Sequence, residues 1–255
     1  MQKKKLVIAN WKMNPSSLRE ARVSFLAIKK GAALYKKVEA GVAAPFVYLP
    51  ELSKSAGGAL SLCAQNVSAE KEGPYTGEVS VAMLAGCKTK YVIVGHSERR
   101  ALGETNTLIN QKLKTVFASK KMTPILCVGE GSRDTGMWYL SEVKTQIEEG
   151  LAGLSKQNIA SLVIAYEPVW ALSSTENRRD ATPADSSEMI IYIRKIIADM
   201  HGSTIANAVR ILYGGSVDEK NAGGFVHEGG ADGLLVGKAS LTPAKFIKIL
   251  AAAQN

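Results

Sequence analysis

The chain has 255 residues, 46% hydrophobic and 22% charged, a balance that suits one large folded domain with a substantial core. Its longest wholly apolar stretches, such as Leu6–Ala9, Tyr91–Val94 and Leu162–Ala165, fall far short of the roughly 20 residues needed to span a bilayer, which excludes a membrane helix. The net charge of +9 lies in short basic pairs such as Lys29-Lys30, Lys36-Lys37 and Lys120-Lys121 without interleaved aromatics, which argues for a solvated surface and against nucleic acid as a partner.

Three cysteines, Cys63, Cys87 and Cys127, show no CxxC spacing, and the histidines are only His96, His201 and His227, so neither a disulfide framework nor a metal site is expected. Lys3, Lys4 and Lys5 precede only four apolar residues, too few for the apolar region of a signal peptide, which is about 7–15 residues. A cytoplasmic location is the expectation.

Eight short runs rich in Val, Ile, Leu and Ala follow one another along the chain. They are Leu6–Ala9, Val42–Ala44, Leu60–Ala64, Tyr91–Val94, Pro124–Val128, Leu162–Tyr166, Arg210–Tyr213 and Gly233–Val236. Between them lie stretches whose apolar residues return every three or four positions, among them Ser17–Lys30, Asn106–Lys120, Trp138–Gly150 and Ser186–Met200. Continuous apolar strands alternating with amphipathic helices predict a parallel sheet covered by helices, and eight repeats fit a closed (β/α)₈ barrel better than an open sheet. No long linker or low-complexity stretch interrupts the alternation, so residues 1–255 read as one domain.

In such a barrel the strand C-termini and the loops after them form the functional face. Four run ends carry conspicuous polar residues. The first is followed by Asn10-Trp11-Lys12-Met13-Asn14, the fourth by Gly95-His96-Ser97-Glu98-Arg99-Arg100, the sixth by Glu167-Pro168-Val169-Trp170 and the seventh by Gly214-Gly215-Ser216. In this order and at these places they resemble the signatures of the triosephosphate isomerase family, and the similarity extends over essentially the whole chain.

The resemblance implies an α/β single-domain TIM barrel that interconverts dihydroxyacetone phosphate and glyceraldehyde 3-phosphate through an enediol(ate), with no metal or organic cofactor. Glu167 is implied as the base and His96 as a neutral electrophile, a tuning for which this enzyme family is itself a reference example. Ser97 is expected to begin the helix beside that imidazole, without a capping box. Lys12 is implied as the cation for the developing oxyanion and the phosphate, Asn10 as its polar neighbour and Glu98 as a supporting partner. Ser216 and Gly237 match phosphate-binding positions, where backbone N–H groups approach an anion closely. Lys238 stands where the family pattern suggests a second glycine; its backbone N–H is retained, so binding is expected to persist.

The sixth loop departs further. The lid implied at Pro168-Val169-Trp170-Ala171-Leu172-Ser173-Ser174 continues to Asp180 as a longer tip without glycine. Ser173 or Ser174 is a candidate phosphate donor, and Arg178 or Arg179 an alternative cation. An altered lid leaves open a second reading, a triose-phosphate-binding barrel with weak turnover that releases methylglyoxal. Finally, the stretch from Gln65-Asn66 to Ser80 resembles a projecting loop that inserts into a twin subunit, which implies a homodimer in which Thr76 approaches the partner near its Lys12.

Overall fold

A computed structural model describes residues 3–133, 136–172, 175 and 179–254. Eight strands alternate with helices: β1 (Lys5–Asn10), β2 (Val38–Ala44), β3 (Leu60–Ala64), β4 (Thr89–Val94), β5 (Thr123–Val128), β6 (Val163–Tyr166), β7 (Arg210–Tyr213) and β8 (Gly233–Val236). Each pairs parallel with the next, and β8 pairs with β1, so the sheet closes into a barrel and leaves no edge. The expected (β/α)₈ barrel is therefore what the sequence adopts.

Two boundaries differ from the sequence pattern for physical reasons. β2 begins at Val38, four residues before its apolar run, because the half-buried Glu39 finds partners there: its carboxylate accepts from Tyr91 Oη at 2.5 Å and Lys90 Nζ at 2.6 Å, and from Arg210 Nη1 at 3.0 Å. Leu162 lies just outside β6, as the residue that ends the helix Lys156–Ser161. Helix starts are set by side-chain caps that satisfy free backbone N–H groups. Ser17 caps Leu18–Ala32, Thr105 caps Asn106–Ser119, and Thr182 with Asp185 forms a capping box on Pro183–His201. That last helix starts three residues before the amphipathic pattern, since a capped first turn does not need apolar residues.

The period-two alternation of strands sorts the side chains into two layers. Leu6, Ile8, Ala43, Cys63, Tyr91, Ile93, Ile125, Cys127, Val163, Ala165, Leu212 and Leu235 pack together as the barrel interior, while Val7, Ala9, Val42, Val92, Ile164 and their like pack with the helices. At the N-terminal end of the barrel the interior closes over the Glu39, Tyr91 and Arg210 cluster. Two residues beyond Ile8, Ile93, Ala165, Leu212 and Leu235, the interior rows reach Asn10, Gly95, Glu167, Gly214 and Gly237. The same alternation that fills the core thus delivers polar groups and glycines to the C-terminal mouth.

Candidate active site

At that mouth one small cleft is lined by Asn10, Lys12, His96, Glu167, Leu172, the turn Gly214–Val217, Leu235, Gly237 and Lys238. It has only about 30 Å³ of free space, about what one water molecule occupies, so admitting a larger molecule requires side chains or the sixth loop to move. A larger cleft of about 610 Å³ lies at the opposite end, among Lys4, Lys36, Glu39 and Lys90. It is the less promising site despite its size, because the carboxylate there is already engaged by Lys90, Tyr91 and Arg210.

The turn after β1 is built around a non-glycine residue in the left-handed region, Lys12 at φ +52°. Such a conformation persists only where its surroundings hold it. Asn10 Oδ1 accepts from Lys12 N–H at 3.1 Å, and Gln65 Nε2 donates to the Lys12 carbonyl and to the Ala43 carbonyl, both at 2.8 Å. Lys12 Nζ then reaches Glu98 Oε1 at 2.7 Å. A Cβ at Gly237 would meet Lys12 Cε at 3.5 Å, so the stem of Lys12 lies directly beside Gly237.

After β4, Gly95 at φ +72° turns the chain, and the short helix Ser97–Ala101 begins at Ser97 as expected, with His96 as its N-cap. Two N–H groups at the start of this helix are each taken by a site residue. Glu98 N–H donates to His96 Nδ1 at 3.1 Å, and Ser97 N–H donates to Glu167 Oε2 at 2.9 Å. Because Nδ1 accepts, the proton of a neutral His96 ring resides on Nε2, which faces Glu167 Oε1 at 3.3 Å. One helix terminus fixes the tautomer of the imidazole and the position of the carboxylate together.

Glu167 is 2% exposed. Its backbone is hemmed in from both sides, as its N–H donates to the Val128 carbonyl at 2.8 Å and a Cβ at Gly129 would lie 1.8 Å from its carbonyl oxygen. Only glycine fits there. Beneath it, burial and then the nearby Glu167 carboxylate push the Cys127 thiol well above its ordinary range, so this thiol stays protonated.

The residues named from sequence at the first, fourth, sixth, seventh and eighth strand ends are thus brought together. Glu98 adjoins both Lys12 and His96 without lining the cleft, and Lys238 opens a short 3-10 turn, Lys238–Leu241, without a positive φ, so a side chain is accommodated where glycine was expected. Of the residues expected to form a lid, Pro168 precedes the 3-10 turn Val169–Ala171, and Leu172 reaches the cleft. Ser173, Ser174 and Arg178 lie outside the described residues. Arg179 is directed to Trp170, with its guanidinium carbon 4.6 Å from the ring centroid. Thr76 is exposed on its loop and does not line its own chain's cleft.

Sequence reasoning missed the fifth strand end. Gly129 abuts Glu167, Gln146 brackets Gly129 through both its N–H and its carbonyl at 2.8 and 2.9 Å, and buried Glu130 Oε1 accepts from Tyr166 Oη at 2.8 Å and Trp170 Nε1 at 2.7 Å. The signal was present, since Gly129-Glu130-Gly131 directly follows an apolar run, as the other site segments do.

A closed parallel barrel whose C-terminal mouth gathers a carboxylate, an imidazole and an ammonium group defines a (β/α)₈-barrel enzyme. The model of the triosephosphate isomerase family matches residues 5–253. A triosephosphate isomerase of Dictyoglomus thermophilum is 41% identical over 253 residues, covering 97% of this chain and 99% of the relative. One of Caldanaerobacter subterraneus subsp. tengcongensis is 42% identical over 251 residues, covering 96% and 98%. The chain belongs to the triosephosphate isomerase family.

Proposed function

We propose that the chain interconverts dihydroxyacetone phosphate and glyceraldehyde 3-phosphate by moving a proton between adjacent carbons through an enediol(ate). The observation that carries this reading is the convergence of Glu167, His96 and Lys12 on one cleft beside the Gly214–Val217 turn and Gly237. Glu167 exchanges its hydrogen bond from Ser97 for the substrate, takes the proton from the carbon next to the carbonyl and returns it to the neighbouring carbon. His96 Nε2–H donates to the oxygens that gain charge, and Lys12 leaves Glu98 to stabilise the oxyanion and the phosphate, in a site where water is scarce and charges interact strongly. Ser216, Gly237 and Lys238 offer backbone N–H groups to the phosphate, with Asn10 ordering the Lys12 turn.

Closure of β1 on β8, together with the last helix Pro243–Gln254 packing on Leu18–Ala32, supports one domain over residues 1–255. A homodimer is supported by apolar side chains left exposed near the turns after successive strands: Met13 (94% exposed), Val47, Tyr75 and Leu102. The Thr76 loop lies among them and would order the partner's first turn. Among the described residues no helix is long and apolar enough to cross a membrane.

The test is isomerisation of glyceraldehyde 3-phosphate by the purified chain, with methylglyoxal followed in the same reaction. Efficient isomerisation with little methylglyoxal is expected. Triose-phosphate binding without turnover would overturn the assignment.

A further inference from the structure

The sixth loop contains a contact that the reaction scheme above does not use. Trp170 stands three residues after Glu167 and two before Leu172, on the segment that carries both the base and the cleft-lining side chain. On the loop's N-terminal stem its indole N–H is fixed to Glu130 at 2.7 Å, and Thr175 folds back onto the same stem, with its hydroxyl on the Val169 carbonyl at 2.5 Å and its N–H on the Leu172 carbonyl at 3.0 Å. Arg179 belongs to the opposite, C-terminal stem. Its guanidinium carbon nevertheless lies 4.6 Å from the Trp170 ring centroid, and its Nη2 lies 3.5 Å from Asp185 Oδ1.

Asp185 is a firm support for that guanidinium. It accepts from the Thr182 N–H at 2.8 Å and hydroxyl at 2.7 Å, and from Arg133 Nη1 at 3.0 Å. Arg133, from the loop after β5, also lies over the Trp170 ring, 5.3 Å from its centroid, and reaches the same Asp185, so it braces this pair from outside, whereas Arg179 joins the stems from within the sixth loop itself.

Resting on the isomerase reading above, we propose that Arg179 is a positioning residue that clasps the two stems of the lengthened sixth loop through Trp170 and Asp185. A longer loop costs more entropy to hold in one arrangement, and a contact across its base shortens the segment that must be ordered. Arginine suits the role because its planar, weakly hydrated cation stacks on an indole while keeping a carboxylate partner. The clasp matters most while the enediolate is bound. If the lid opens then, the enediolate electron pair expels inorganic phosphate by cleavage of the carbon–oxygen bond, and the enol left behind becomes methylglyoxal.

The test compares the wild-type chain with Arg179→Ala and Arg179→Lys. Read-outs are kcat and KM, the methylglyoxal formed per isomerisation event, and the Trp170 indole N–H resonance with and without glycerol 3-phosphate, a substrate analogue that lacks the carbonyl. Arg179→Ala is expected to raise the methylglyoxal fraction about two- to fivefold, the scale of an exposed cation–π contact, and to shift or broaden the Trp170 resonance. The melting temperature should be unchanged, and Arg179→Lys should fall between the two. A wild-type Trp170 resonance and methylglyoxal fraction in Arg179→Ala would overturn the clasp. A wild-type chain that fails to isomerise would overturn the isomerase reading by itself, and the Trp170 resonance would still decide the role of Arg179.

Discussion

The turns after β1 and β4 and the loop after β6 serve the same cleft, yet they are held in different ways. Lys12, His96 and Glu167 stand within two residues of strand ends, and the barrel sheet and the first N–H groups of Ser97–Ala101 fix them over short distances. The first stem of the sixth loop is instead held at Trp170 by side chains: Glu130 and Arg133 from the loop after β5, and Arg179 from the opposite stem. Groups that bond to reacting atoms tolerate little displacement, so they sit where the backbone is most constrained.

That contrast can be tested by removing one support at a time. Lys12→Met removes the cation from the rigid side and should lower kcat/KM about 10²–10³-fold, the scale of losing one electrostatic stabiliser of the transition state. Steady-state kinetics, with glycerol 3-phosphate binding measured alongside, would check it, and a change under tenfold would mean that another cation does the work.

Glu104→Gln removes a structural support from the same side. Glu104 Oε1 binds Lys112 Nζ at 2.5 Å and Arg99 Nε at 2.7 Å, and Lys112 continues to Asn66 at 2.8 Å, so the turn after Ser97–Ala101 is tied to the third loop. Leaving Lys112 buried without its partner should cost about 3–5 kcal/mol in urea unfolding. Burial alone would raise the Glu104 carboxyl, but the hydrogen bonds from Lys112 and Arg99 outweigh it and hold the group below its ordinary value. The stability it contributes is therefore complete above the unfolded carboxylate value near about pH 4.3 and is lost as pH falls through the lower folded value. Unfolding followed from neutral to acid pH should show this loss in the wild-type chain and a flatter profile in Glu104→Gln.

Glu98→Gln should have the smallest effect. The Lys12–Glu98 pair at 2.7 Å is partly open to solvent, and exposed pairs contribute about 0–1 kcal/mol, so kcat/KM should change by no more than about fivefold. A loss as large as that of Lys12→Met would show that Glu98 takes part in the chemistry directly.

Most of the barrel was legible because its signal is repetitive: apolar runs for strands, three- and four-residue periods for helices, and polar residues at strand ends. What escaped depends on contacts distant in sequence. β2 was read too short because Glu39 looks unlike a strand interior until Tyr91 and Arg210 are folded against it. Lys12, His96 and Glu167 stood out through the family resemblance, but the tautomer of His96 depends on the Glu98 N–H, which only the helix geometry reveals. Gly129 escaped because its need for glycine arises from the Glu167 carbonyl, 38 residues away in the chain by number. Arg179 was recognised as a cation in the altered loop, whereas its contact with Trp170 depends on how the two stems fold.

The most direct test of the account is Glu167→Asp, which withdraws the carboxylate by one methylene and leaves its charge and the phosphate contacts in place. The account predicts a fall in kcat of about 10²-fold or more with glycerol 3-phosphate affinity nearly unchanged. A variant that turns over at the wild-type rate would contradict Glu167 as the base.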